Sequence, residues 1–248
     1  MEKLYAGCRA LFDVAFPGED QAWCDALFSF AFPKHLRVIA EGDTPKAMLF
    51  ALPYETVMAD GEVREARYVY AVATAPACRG QGLATRLLQE VAAEGVPFFL
   101  RPMEPSLFAF YAKAGLSPIS YVRRLAGESA PVDEVFPALT PEAYLALRAA
   151  FLKPPYARPV AEFLKLGFLF GGAVGKAGEF AAFYEKRADY VYFKEWLGDV
   201  SYAPRVAASL GFERYVLRTP CAGDEVDATP FGMAVNCPKE LCFLIALD

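Results

Sequence analysis

Apolar positions in the first thirty or so residues recur with helical spacing. Leu4, Cys8, Leu11, Phe12 and Ala15 form one stripe, and Trp23, Leu27, Phe28 and Ala31 form another after the break at Pro17-Gly18. Shorter strand-like runs follow at 35–40, 47–52, 55–59 and 67–74, with Asp60-Gly61 as a hairpin signal between the last two. A helix then begins at Gly82, carries the stripe Leu83, Leu87, Leu88 and Val91, and stops at Gly95. A short strand at 98–101 leads to a helix over 106–114, which Ser106 can cap and Gly115 can end. Residues 119–125 read as a further strand. Four strands, helix, strand, helix, strand is a mixed α/β order built around one crossover.

The stretch 126–141 has mixed charge, three prolines and no period, and reads as a linker. Helical patterns recur near 142–151 and 158–165, and strands are expected at 179–186, 190–196, 215–218 and 241–247. An internal repeat becomes visible here. "YVYAVAT" starts at Tyr68 and "YVYFKEW" at Tyr190, while "FFLRP" reaches Arg101 and "YVLRTP" reaches Arg218. The second interval is five residues shorter, and the loss falls where the first copy has its glycine turn. The organisation this suggests is a first domain over 1–125, a linker over 126–141, and a degenerate second copy of the same fold over 142–248.

Composition narrows the class. With 55% hydrophobic residues, 15% aromatics and a net charge of −5, the chain reads as a soluble globular protein with no call for a polyanionic partner. No apolar run reaches the ~20 residues that span a bilayer, since 164–183 is cut by Lys165, Lys176 and Glu179. Glu2 and Asp13 stand where a signal peptide would be apolar. The six cysteines form no C-x-x-C pair and only His35 could join them, so no metal is expected and the thiols read as reduced, in a cytoplasmic protein.

The chemistry concentrates in "APACRGQGLATRLL", from Ala75 to Leu88. Arg79, Gly82 and Ala84 fit R-x-x-G-x-A, and Gly80 adds a second position without a side chain. Glycine brings backbone N–H groups close to a ligand, and a helix that begins there points its unsatisfied N–H groups and positive dipole end outward. Arg79 adds a cation, so the turn is shaped for a pyrophosphate. A Walker loop would need Gly-Lys-Ser/Thr and a dinucleotide fingerprint G-x-G-x-x-G; the sequence offers neither. Val72, Pro76, Arg79, Gly82 and Ala84, followed by "FYAKAGL" with Phe110, Tyr111, Lys113 and Gly115, resemble the two hallmarks of the GCN5-related N-acetyltransferase family. The resemblance covers 1–125, and the remainder is similar to the second half of tandem acetyltransferases.

That resemblance implies an acyl-CoA N-acyltransferase fold, with acetyl-CoA as acyl donor held by Val72, Ala73 and Thr74 on the strand and by Arg79, Gly80, Gln81, Gly82, Leu83, Ala84 and Thr85 at the turn. It also implies that a backbone N–H on the strand polarises the thioester carbonyl, and that Tyr111 is the general acid for the departing thiolate. A packing role for Tyr111, on a stripe with Leu107, Phe108 and Ala114, stays open. Glu104 stands where the family often has Asn. The base is not legible: the family position falls on Ala66, with Glu65, Glu55, Tyr68, the Asp248 carboxylate or a water chain as substitutes. The expected partner is a primary amine on a small molecule or peptide, with no nucleic acid and no membrane; a homodimer is left open. The aromatics Phe168, Phe170, Phe180, Phe183, Tyr184, Tyr190, Tyr192 and Trp196 read either as acceptor lining or as core. Two other classes compete: a non-catalytic acyl-CoA sensor, and an aminoacyl-tRNA-dependent transferase, a group without the pyrophosphate loop.

Overall fold

The computed structural model describes residues 1–239 and 241–245 and divides the chain into two compact units. The first comprises residues 1–55, 65–117 and 233–237; the second comprises 56–64, 118–232 and 238–248.

Two helices open the first unit, α1 (Glu2–Ala15) and α2 (Gln21–Ala31). The Trp23 N–H donates to Asp20 Oδ1 (3.1 Å) and caps α2. Phe12 and Phe50 both meet Phe28 edge-on, at 5.5 and 5.2 Å, as the ring quadrupoles favour. Next come β1 (Leu36–Glu41), β2 (Thr44–Val57) and β3 (Val63–Thr74). The two strands expected at 47–52 and 55–59 are one strand, because Pro53 does not interrupt β2. The turn expected at Asp60-Gly61 forms, with the Gly61 N–H on Met58 O at 2.9 Å. A 3₁₀ turn (Pro76–Cys78) leads to α3 (Leu83–Ala93), then β4 (Phe98–Leu100) and α4 (Pro105–Lys113). The residue that precedes α4 is Glu104, not Ser106, and its side chain makes no capping bond. Within the unit β1 and β2 are antiparallel and β3 and β4 parallel, and Met233–Val235 returns antiparallel beside β4.

The second unit holds most of β5 (Ser117–Glu128), then β6 (Ala138–Leu139), α5 (Pro141–Ala149), β7 (Tyr156–Pro159) and α6 (Ala161–Gly167). A meander β8 (Gly171–Lys176), β9 (Phe180–Lys186) and β10 (Val191–Gly198) follows, then a 3₁₀ turn (Val200–Tyr202), α7 (Ala203–Ser209) and β11 (Arg214–Cys221). The pairings β8–β9 and β9–β10 are antiparallel, β10–β11 parallel and β11–β5 antiparallel. Two helices, three strands, a 3₁₀ turn, a helix and a strand parallel to the third therefore occur in this order twice along the chain, with β7 added between the two helices the second time. Phe180, Tyr184 and Trp196 form core with the buried face of α7, so these aromatics are packing groups. Arg148 forks onto Glu195 (2.8 and 3.0 Å) and donates to Ala157 O (2.9 Å), while the Tyr144 hydroxyl also donates to Glu195, all four residues being buried.

Three expectations need correction. The boundary at 125/126 falls inside β5, and 126–141 contains the end of that strand and all of β6, because both are paired in the second unit's sheet. β8 was not foreseen, since its glycines argue against a strand; close packing requires them, as a Cβ at Gly171 would lie 1.8 Å from Tyr184 O. The last strand is β12 (Thr229–Val235) in place of 241–247. Leu241, Phe243, Leu244 and Ile245 are buried outside any strand, and positions 246 and 247 lie outside the described residues.

Candidate active site

Two strands that begin as neighbours separate to make the site. β3 and β4 pair at Arg67↔Phe98 and Tyr68↔Phe99, and the parallel register stops there. Three residues on, Ala71 takes φ +53°, a left-handed value that an L-residue adopts at a cost of about 1–2 kcal/mol. The kink leaves Val69, Ala71 and Ala73 buried, while Val72 and Thr74 line a cavity of about 450 Å³.

After β3 the chain turns through Pro76–Cys78, closed by Cys78 N–H on Ala75 O (2.8 Å). Gly80 (φ +77°) and Gly82 (φ +74°) are both left-handed, and a Cβ at either would meet nothing within 4 Å. The backbone conformation, not space, calls for glycine here. Gly82 is the residue before α3 and offers no side-chain cap. The first bond of the helix runs from Arg86 N–H to Gly82 O (3.0 Å), so the N–H groups of Leu83, Ala84 and Thr85 have no partner within the helix. The first turn carries no acidic residue to offset the dipole. Arg79 is exposed beside it, with no carboxylate partner among the described residues. Positive potential and free donors thus face one side of the cavity.

The opposite wall is α4. Leu107, Phe110 and Tyr111 line the cavity, and Tyr111 also packs into the core with Leu87, Leu88 and Phe98. The two roles foreseen for Tyr111 are therefore compatible: its ring is core and it borders the cavity. Burial pushes its phenol up to about 12, from an ordinary value that already leaves it protonated at neutral pH. Gly115 (φ +94°) ends the helix, with Leu116 N–H on Tyr111 O at 3.0 Å.

The structure thus brings Val72, Thr74, Arg79, Gly80, Gly82, Leu83, Ala84, Thr85 and Tyr111 to one cavity. Ala73 is buried away from it, and Gln81 is exposed with its amide toward Ala77 O (3.4 Å). Cys78, Leu107 and Phe110 also line it and were missed. The available signal was that Leu107 stands one helical turn before Tyr111 and Phe110 directly beside it. No candidate base is among the lining residues. Tyr68 is buried between Tyr54 and Phe99, Ala66 is fully buried, and the exposed Glu65 pairs with Arg67 (2.7 Å). Glu55 lies outside the lining, and Asp248 lies outside the described residues. Among the described residues no three His, Cys, Asp or Glu side chains converge on a metal position, and no helix is long and apolar enough to cross a membrane.

The family model described as an acetyltransferase (GNAT) domain matches residues 2–119. The GCN5-related N-acetyltransferase from Kribbella flavida superposes with a TM-score of 0.65 at 13% identity, over 94% of this chain and 70% of that one. The GCN5-related N-acetyltransferase from Anabaena variabilis gives 0.62 at 16% identity, over 94% and 69%. At such identities the likeness is one of fold. No curated protein matches the sequence. Residues 2–119, which contain the kinked strand, the glycine turn and the tyrosine helix, thus form an acetyltransferase (GNAT) domain, and that domain gives the chain its acyltransferase class.

Proposed function

We propose that the protein transfers an acetyl group from acetyl-CoA to a primary amine of a small molecule or peptide, by direct attack in a ternary complex. The observation that carries this reading is the meeting of the uncapped start of α3 with Tyr111 in one cavity. The free N–H groups of Leu83–Thr85 and the Arg79 guanidinium suit a pyrophosphate. The strand edge that β3 exposes beyond Tyr68 offers backbone groups to an amide-bearing arm and an N–H to a thioester oxygen. Tyr111, a phenol and so protonated at neutral pH, is the group that would return a proton to the leaving thiolate. The second unit is read as a degenerate copy of the first, on the shared order of elements.

The absence of a carboxylate or imidazole from the cavity lining favours one other reading, a sensor that binds acyl-CoA without turnover. Calorimetric titration with acetyl-CoA, followed by a panel of amines with detection of the released thiol, separates them. Binding with turnover supports the transferase, binding without turnover over a broad panel supports the sensor, and no binding overturns both.

A further inference from the structure

We propose that Phe110 is the platform on which the adenine ring of the acyl-CoA donor stacks, an inference that rests on reading the cavity as an acyl-CoA site. Phe110 stands on α4 directly before Tyr111, and both side chains line the cavity. Their exposure differs sharply, 7% for Tyr111 against 37% for Phe110. Leu107, Phe108 and Ala114 of the same helix pack against the core of the first unit, and Phe110 is not part of that core. Of the large apolar side chains exposed among the described residues, only Phe110 lines the cavity. It marks the open mouth, as Tyr111 marks the enclosed end.

The Phe110 ring meets that of Tyr111 edge-on, at 5.1 Å and 69°, so a residue held by the core orients it. The parts of the donor divide over the cavity by their chemistry. The pyrophosphate suits the start of α3, and the amide-bearing arm suits the edge of β3 near Val72 and Thr74, with the thioester toward Tyr111. What remains is the nucleoside, a flat base joined to charged phosphate that has to stay at water. A partly exposed ring at the mouth fits that group. The purine covers the phenyl face and takes apolar surface out of water, while its phosphate stays in solvent. Stacking of a base on an aromatic side chain is strong enough to read in affinity. The arm is aliphatic and needs no flat partner, so an apolar side chain of similar size would serve it equally well.

The test titrates the full chain, Phe110→Leu and Phe110→Trp by calorimetry with acetyl-CoA and with S-acetyl-4′-phosphopantetheine, which lacks the nucleoside. Leucine keeps the apolar bulk and the helix and removes the flat ring. Phe110→Leu should therefore bind acetyl-CoA at least about fivefold more weakly. Phe110→Trp should bind it as tightly as the parent or more so, and the phosphopantetheine donor should bind all three proteins alike. Adenosine 3′,5′-bisphosphate, the nucleoside half alone, should quench the emission of the indole added in Phe110→Trp. The parent serves as the blank, since its Trp23 and Trp196 are buried. Unchanged acetyl-CoA affinity in Phe110→Leu, an equal loss with the phosphopantetheine donor, or no quenching overturns the proposal and leaves the acyl-CoA reading standing. No binding of acetyl-CoA to the parent overturns both.

Discussion

Gly82 and Tyr111 border the same cavity although a helix, a strand and a loop separate them in the chain. One contributes a left-handed backbone at the start of α3, the other a buried phenol on α4. The chemistry proposed needs both walls at once, and the predictions that follow test them separately.

Gly82→Asp and Gly82→Asn have the same shape, and both residues tolerate left-handed φ better than other side chains. They differ in charge. Acetyl-CoA affinity should fall at least about tenfold further in the aspartate variant, because its carboxylate meets the phosphates at the helix start. Calorimetric titration of the two proteins reads this directly, and equal affinities would remove the pyrophosphate assignment.

Tyr111→Phe keeps the ring in the core and removes the proton. Turnover should drop by roughly 10²–10⁴-fold while acetyl-CoA affinity stays near that of the parent. The same variant has a stability signature. The folded phenol titrates near 12 against 10 when unfolded, so the folded state holds the proton more tightly. Stability from this group is complete below pH 10 and is lost as pH rises toward 12, by up to about 3 kcal/mol. Unfolding midpoints from pH 9 to 11.5 should decline more steeply for the parent than for Tyr111→Phe.

One acyl-CoA should bind per chain. The corresponding turn of the second unit is closed: Asp199 accepts from the Ser201 N–H (2.8 Å), Tyr202 stacks on Phe180 (5.2 Å), and Pro204 supplies no N–H at the start of α7. A measured stoichiometry near two, or a site that survives Gly82→Asp, would contradict this.

Glu195→Gln removes the buried carboxylate onto which Arg148 forks. A loss of about 3–5 kcal/mol is expected in denaturant unfolding. The double change Arg148→Met with Glu195→Leu should cost markedly less than the sum of its two single changes, because no buried charge is left behind.

Residues whose conformation is settled by near neighbours were legible from the chain. The stripes of α1, α2 and α3 follow their own period, Asp60-Gly61 closes its own hairpin, and Gly80 and Gly82 mark the turn where the backbone goes left-handed. The spacing of the two motifs could likewise be read directly, and with it the acetyltransferase (GNAT) domain over residues 2–119. Long-range pairing decided the rest. β8 is a strand because Gly171 lets Tyr184 O come close, and Met233–Val235 is a strand because β4 offers it an open edge. Phe110 and Leu107 joined the cavity, and Ala73 left it, through the packing of α4 and the kink at Ala71. Periodicity and turn chemistry act over a few residues, whereas burial and strand partners depend on segments far apart in sequence. A local pattern carries no record of them.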